Sequence, residues 1–343
     1  MKLPVTNIIK ETNQAVTVCF RNNRFFNKLK YKPGQFLTLK IPINGRVEKR
    51  AYSFSSDPYT DKELKITVKK VQNGLISTYV NEKMKVGQKI AVEKPMGSFF
   101  VDPKVENRKQ YLLFAAGSGI TPVFSILKSV LFKEPESRVI LTYANLDEDN
   151  IIFITELEQL SKLYKERFHV EHILSHNDNL NYHSGFITKD IIHKIFKKHE
   201  LSFSEAHEYM ICGPAGFMKT TKDILIANNI IPGHIKIEAF KPPKIKIAAK
   251  DLVSKVTIKH KGTDHQIEVP GNKTILQQAM LNNIVLPYSC RSGMCSTCKA
   301  QCTIGKTTMT KGHLLPDDEV KSGTILTCVT YPESEQITIE IPN

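Results

Sequence analysis

The sequence predicts a multidomain chain of three unlike parts: an antiparallel β-barrel, an α/β doubly wound layer and a small α+β module. Three observations predict it. The first third holds short apolar or alternating runs punctuated by Pro and Gly, the mark of antiparallel strands. The middle third alternates such runs with helical periods, the mark of a parallel sheet covered by helices. The last third carries four cysteines spaced C-x4-C-x2-C and, after 29 intervening residues, C. A chain of 343 residues has room for two or three domains, and we place them at 1–103, 104–240 and 253–343, with a linker at 241–252.

Bulk properties exclude several classes. With 41% hydrophobic and 24% charged residues the chain can bury a core. Its start, Met-Lys-Leu-Pro-Val-Thr-Asn, lacks an apolar stretch of signal-peptide length. The most apolar window, Tyr111 to Leu127, is broken by Gly117, Gly119 and Pro122, so no membrane insertion is expected. A cytoplasmic protein with reduced thiols follows, and a disulfide framework is disfavoured. The net charge of +14 invites a nucleic-acid reading. Residues 1–103, 104–240 and 241–343 carry +11, −1 and +4, with no basic helix or Arg-rich tract, so no nucleic-acid partner is expected. Solvated lysines explain most of the excess, and a docking face for an anionic cofactor or acidic partner is the alternative.

In the first part, Ala15–Phe20, Phe36–Ile41, Leu64–Lys69 and Lys89–Glu93 read as strands, and a helix is expected from Leu75 to about Lys83. In Arg50-Ala51-Tyr52-Ser53-Phe54-Ser55, strand alternation puts residues 50, 52 and 54 on one face. There an arginine can clamp a pyrophosphate, a tyrosine can face an aromatic ring and a serine can offer a hydroxyl. Gly74-Leu75-Ile76-Ser77-Thr78 sits at the expected helix start, where free N–H groups make an anion seat. Each motif alone is equally an amphipathic strand or an ordinary helix cap.

In the middle part, strands are expected at Tyr111–Ala116, Arg138–Tyr143, His169–Leu174 and Tyr209–Cys212. Helices are expected after Pro122 to about Phe132, at Ile151–Lys165, Thr188–Lys198 and Ala215–Asn228. In such a sheet a ligand binds at the carboxyl ends of the strands. Gly117-Ser118-Gly119-Ile120-Thr121-Pro122 and Cys212-Gly213-Pro214 both stand at such ends. The first differs from the dinucleotide fingerprint Gly-x-Gly-x-x-Gly and by itself is also a plain strand-to-helix turn.

In the last part, Lys241-Pro-Pro-Lys244 opens an extended linker. Ser254–His260 and Asp264–Val269 suggest a hairpin, Thr274–Asn282 a helix, and Thr324–Cys328 and Gln336–Ile341 closing strands. Cys290, Cys295, Cys298 and Cys328 match the plant-type [2Fe–2S] ligand pattern. Gly293 and its small neighbours allow a tight loop whose N–H groups turn toward sulfur. Structural zinc is the rival, though it usually takes two C-x2-C pairs and only one is present. Cys302 is expected to be a packed thiol.

In this order the motifs resemble the ferredoxin–NADP reductase superfamily. The type is an oxygenase reductase with a C-terminal plant-type ferredoxin domain of β-grasp fold, and the likeness runs nearly end to end. The resemblance implies that Arg50, Tyr52 and Ser53 serve a flavin. It implies that Gly74, Ile76 and Ser77 seat its second phosphate, which favours FAD over FMN. Gly117, Ser118, Gly119 and Thr121 would approach the dinucleotide phosphates, and Cys212, Gly213 and Pro214 would lie near the nicotinamide. In Ile237-Glu238-Ala239-Phe240, Phe240 would cover the flavin ring and Glu238 would stand near its reactive edge. The implied catalytic group is Tyr52, Ser53, Cys212, Glu238 and Phe240. The cosubstrate is NADH or NADPH. Asp147, Glu148 and Asp149 after the second strand, with no arginine nearby, disfavour a 2′-phosphate and favour NADH. A nicotinamide yields two electrons as a hydride and the cluster takes one, so the flavin belongs between them. The implied partner is an oxygenase. Other redox-protein acceptors, such as a hybrid-cluster protein, use the same module order, and a redox-sensing binding protein is the reading from a different class.

Overall fold

The computed structural model describes all residues except 23–28, 177–180, 204–206, 241–251, 311–312, 314 and 343. The expected linker thus lies, apart from Leu252, outside the described residues. The chain divides into two compact units, Met1–Glu238 and Ala239–Asn343.

The first unit begins with six antiparallel strands: β1 Lys2–Thr12, β2 Ala15–Phe20, β3 Phe36–Ile43, β4 Arg46–Ser53, β5 Leu64–Lys69 and β6 Lys89–Val92. Helix α1, Leu75–Glu82, lies between β5 and β6. The strand order is β4-β3-β6-β1-β2-β5, and the two edges meet through a bridge between Phe54 and Ile66, which makes the sheet barrel-like. Leu37, Leu39, Ile66 and Val68 are buried inside it. The β3–β4 hairpin turns on Asn44 and Gly45, both at positive φ, the pairing that matches strand twist in a two-residue turn.

Six parallel strands follow: β7 Gln110–Ala116, β8 Arg138–Asn145, β9 Phe168–Leu174, β10 His183–Ser184, β11 Glu208–Cys212 and β12 Ile235–Glu238. They alternate with α2 Ile120–Lys133, α3 Ile154–Leu163, α4 Lys189–Lys198 and α5 Ala215–Ala227. The order β10-β9-β8-β7-β11-β12 reverses direction at β7, so the crevice for a ligand opens between the ends of β7 and β11. Past their polar first residues, strands β7, β8 and β11 are mostly apolar and buried, as expected of a parallel sheet covered on both faces. The barrel and this layer are tied together. Ser125 Oγ on α2 donates to the Ser56 carbonyl at 2.6 Å, and Lys128 on α2 shares Asp61 with Lys65.

The second unit holds β13 Val253–His260, β14 Thr263–Pro270, α6 Ile275–Leu281, β15 Lys299–Ile304, β16 Thr307–Met309, α7 Asp317–Lys321, β17 Thr324–Leu326, β18 Thr330–Pro332 and β19 Gln336–Glu340. A five-stranded sheet runs β14-β13-β19-β15-β17, with β13 and β19 parallel, and β16 pairs with β18 apart from it. Ile275, Leu276 and Ala279 of α6 pack into the same core as Ile258, Leu326 and Ile339, the one-helix-on-sheet arrangement of a grasp fold. A reciprocal cap starts α6: Gln277 N–H donates to Thr274 Oγ1 at 3.2 Å and Thr274 N–H to Gln277 Oε1 at 3.0 Å.

One expectation shifts: the helix expected at Ile151–Lys165 is shorter, because Phe153 sits at φ 64 and α3 starts only after it. Just past the end of β4, Phe54 N–H donates to the Gln35 carbonyl at 2.9 Å, and the fully buried Phe54 ring stacks on Tyr31 with ring centres 3.9 Å apart and joins the core against which Tyr52 packs.

A buried ion cluster holds the outer part of the parallel layer. Glu171 on β9, 5% exposed, accepts from His199 at 2.7 Å, from Lys198 at 2.7 Å and from His183 at 3.2 Å. Burial opposes its charge, but these hydrogen bonds outweigh it and hold the carboxyl down at about 2. A depressed folded value means stabilisation that is complete above the ordinary 4.5 and is lost as pH falls toward 2. Glu171→Gln should therefore cost on the order of 2 kcal/mol at pH 7. The gap between variant and wild type should close between pH 4.5 and about 2, as read from urea-unfolding midpoints followed by circular dichroism.

Candidate functional site

Strands β7 and β11 are neighbours, with Ala115 opposite Cys212, so their terminal loops lie side by side. A Cβ built on Gly119 would overlap the Cys212 carbonyl, and one on Gly213 would come within 2.9 Å of the Ala116 Cβ. Both glycines are thus required by close packing of the two loops. Residues Gly117–Gly119 form a 3-10 turn that runs into α2, and Gly119 offers α2 no capping side chain. The Ile120 amide at the start of α2 donates back to the Gly117 and Ser118 carbonyls, so an anion at this helix start would be met by the amides of the turn itself. Gly117, at φ +52, has its carbonyl held by Tyr143 Oη at 3.1 Å. Thr121 is 2% exposed and its hydroxyl donates to the Ser118 carbonyl at 3.0 Å, closing the turn rather than facing outward.

Cys212 stands opposite Glu238 in the parallel β11–β12 register. Burial, and secondarily the Glu238 carboxylate, pushes its thiol well up, so it stays protonated at neutral pH. Pro214 leads into α5. Glu238 is 4% exposed at the end of the first unit. Phe240, half-buried, belongs to the second unit, so the acidic and aromatic residues of this segment fall on opposite sides of the division.

On the barrel, β4 aligns Arg50 with Leu39 and Tyr52 with Leu37. Both are half-buried, Ser53 is buried, and the Arg50 charge acts on Tyr52. Burial raises the Tyr52 phenol, which keeps it a neutral ring with a polar tip. At the start of α1, Gly74 supplies no side-chain cap, and its own Cβ would collide with Ser77 Oγ. Ser77 Oγ donates to the Gly74 carbonyl at 3.0 Å and accepts from Val71 N–H at 3.3 Å. As at Thr121, the hydroxyl builds the turn, and the amides of Leu75 and Ile76 remain at the helix start.

In the second unit Cys290, Cys295, Cys298 and Cys328 are all buried, between 1% and 6% exposed. They form two pairs. Cys290 N–H donates to Cys295 Sγ at 3.3 Å, and Ser292 N–H donates to Cys290 Sγ at 3.4 Å. The hydrogen bond from Cys295, against the opposing effect of burial, and those from Ser292 draw the Cys290 thiol down to about 5. Cys298 is lowered in the same way by Cys328. Among the described residues no three His, Cys, Asp or Glu side chains surround a single ion position. Two pairs of thiols suit a two-iron core, each pair taking one iron, and N–H groups aimed at sulfur suit its negative charge. Arg291 at φ 56 and Gly293 at φ +78 give the loop its curl. Cys302 is only half-buried on β15, where its thiol donates weakly to the Ile304 carbonyl at 3.5 Å, away from the four.

Two contributors carry no sequence signal. Tyr143 reads as one more apolar strand residue, yet it fixes the Gly117 carbonyl. Lys69 reads as one of several strand lysines, yet β5 brings it to the Gly117–Gly119 turn.

Comparison with known proteins agrees with this geometry. Residues 2–101 match the oxidoreductase FAD-binding domain, 113–223 the oxidoreductase NAD-binding domain and 258–333 the 2Fe-2S iron-sulfur cluster binding domain. The chain is 30% identical to one of the subunits of the 1,2-phenylacetyl-CoA epoxidase of Escherichia coli K12, over 98% of this chain and 96% of that one. It is 32% identical to the ferredoxin reductase component of 3-ketosteroid-9-alpha-monooxygenase of Rhodococcus rhodochrous, with the same coverage. Its fold matches that of phthalate dioxygenase reductase with a TM-score of 0.67 at 24% identity, covering 99% of this chain and 98% of that one. The chain belongs to the ferredoxin–NADP reductase-type family of oxygenase reductases, oxidoreductases that combine FAD, pyridine-nucleotide and [2Fe–2S] domains in one polypeptide.

Proposed function

We propose that this chain takes a hydride from NADH and delivers single electrons to a partner oxygenase, through FAD and then a [2Fe–2S] cluster. One observation carries the reading: FAD-binding, NAD-binding and 2Fe-2S domain matches stand in one chain that is alike, over 98% of its length, to the ferredoxin reductase component of a monooxygenase. The relatives name a phenylacetyl-CoA epoxidase and a ketosteroid monooxygenase as their systems, and an epoxidase or related hydroxylase is the partner class favoured here. Among the described residues no helix is long and apolar enough to cross a membrane.

Each residue has a task in this reading. Tyr52 and Ser53 hold the flavin ring region and Arg50 its phosphates. The amides from Gly74 to Ser77 seat the pyrophosphate, with Ser77 shaping the turn. Gly117, Ser118 and Gly119 offer amides to the dinucleotide phosphates, and Thr121 holds their turn closed. Cys212, Gly213 and Pro214 form the wall beside the nicotinamide, where a neutral thiol and bare backbone leave room for a flat ring. Glu238 sets the polarity behind that wall. Cys290, Cys295, Cys298 and Cys328 ligate the cluster. When bound, the flavin accepts an electron pair and releases it singly, which no side chain here can do.

The coenzyme preference follows from charge. After β8, Asp147 accepts from Asn150 N–H at 3.0 Å and is fixed in place, and Glu148 accepts from the Tyr182 hydroxyl. Two fixed carboxylates at that strand end repel a 2′-phosphate. Steady-state ferricyanide reduction should give a kcat/KM for NADH at least about tenfold above that for NADPH, the size of a typical charge-selective contact. The division of labour has its own test. Cys295→Ser should lose the cluster absorbance and the reduction of cytochrome c, while NADH still bleaches the flavin and ferricyanide reduction survives. Cys302→Ser should keep the cluster spectrum and iron content. Loss of flavin bleaching in Cys295→Ser would show that the two centres do not act in series.

A further inference from the structure

A cavity of about 300 Å³ lies within the first unit, where the barrel meets the parallel layer. That volume is at the lower end of the range for sites that take a small organic molecule. None of the residues around it is among those assigned to FAD, the coenzyme or the cluster. The barrel contributes Glu11 of β1 and Lys65 of β5, and the layer contributes Phe124 and Lys128 of α2 with Glu156 and Leu160 of α3.

Its charges are unevenly matched. Asp61, also in the lining, takes both lysines, Lys65 at 3.0 Å and Lys128 on its other oxygen. Glu11 and Glu156 have no ion-pair partner among the described residues. Three carboxylates thus face two ammoniums, an excess of one negative charge when all are ionised. Burial raises the Glu11 carboxyl, with the Thr17 hydroxyl opposing and Glu156 adding to the rise. Lost water and a like charge both work against the ionised acid, and a cation beside the two glutamates relieves both. Much of the remaining wall is apolar. Phe124 and Phe153 stack with ring centres 4.2 Å apart, and Leu160 joins them in the lining. A bare metal ion does not suit this wall, and among the described residues no three ligating side chains surround an ion position.

We propose that this cavity binds a small organic monocation, a primary amine on an apolar body, with its ammonium at Glu11 and Glu156 and its body against Phe124 and Leu160. The added charge brings the five ionised groups to neutrality, and the body covers apolar wall that water otherwise wets. Such an occupant touches barrel strands on one side and α2 and α3 on the other. It reinforces the seam that the Ser125–Ser56 hydrogen bond and the Lys128–Asp61 pair already hold, without entering the flavin or coenzyme site.

Three probes that share a ring and differ in charge test this: benzylamine, benzyl alcohol and benzoate. Each is titrated calorimetrically into the flavin-loaded protein at pH 7 and constant ionic strength. Benzylamine should bind at least about tenfold tighter than either of the others, the usual weight of one charge-assisted contact. Glu156 is exposed at the rim, so Glu156→Gln should fold normally. It should weaken benzylamine about tenfold and leave benzyl alcohol within about twofold. Glu158→Gln removes the same charge from α3 outside the cavity and should bind like wild type. Leu160→Trp should fill the cavity and abolish benzylamine binding, while NADH still reduces ferricyanide at the wild-type rate. No detectable benzylamine binding, or equal affinity for the three probes, would overturn the proposal. So would a Glu156→Gln variant within about twofold of wild type for benzylamine. Methylammonium binding as tightly as benzylamine would sink it too, because the apolar wall would then play no part. Competition of benzylamine with ADP-ribose, or release of flavin by the amine, would place the ligand in a site already assigned and refute it as well.

Discussion

The contact between Gly119 and the Cys212 carbonyl is the constraint on which the nucleotide half depends. Two loops from adjacent parallel strands meet backbone to backbone, closer than any Cβ allows. The contact places the Gly117–Gly119 turn beside Gly213, so the crevice at the strand reversal is lined by peptide groups. Fixed dipoles of this kind recognise an anion without reorganising, and they leave a flat floor where a bulky side chain would keep a ring away. Cys212 fits this logic: its side chain is fully buried and kept protonated, so the backbone and not a reactive thiolate faces the ligand side.

What could be read from the sequence divides along chemical lines. The cysteine set was legible because its meaning lies in residue identity and spacing, and neither changes on folding. Strands β7, β8 and β11 were legible because a parallel sheet buried on both faces favours runs that are mostly apolar. Strand β1 was not. Its Lys2–Thr12 stretch is broken by Pro4 and carries exposed polar residues in its second half, and it is a strand because β2 and β6 supply partners. The hydroxyls of Ser77 and Thr121 were legible as helix-start residues, but not in their orientation. A serine or threonine there serves equally to meet a ligand or to close its own turn, and only the folded chain shows the second.

The second unit shows how a loop can be shaped for sulfur without regular structure. Arg291 and Gly293 both take positive φ between the first two cysteines, and in this loop the N–H groups of Cys290 and Ser292 donate to thiol sulfurs. Cys298 and Cys328 belong to the hydrophobic core as well, so the second pair is anchored in packed structure while the first sits in the loop. One half of the ligand set is thereby positioned by core packing and the other by backbone turns.

The barrel's positive excess can now be assigned. Lys40 and Lys49 share Glu93, and Lys65 and Lys128 share Asp61. Two cations on one carboxylate leave a surplus charge at each place, and partly exposed pairs of this kind add little to stability. The excess is thus not explained as a means of holding the fold. Its consequence is a positive field on the half of the molecule that must receive two phosphate-bearing molecules, FAD and the coenzyme.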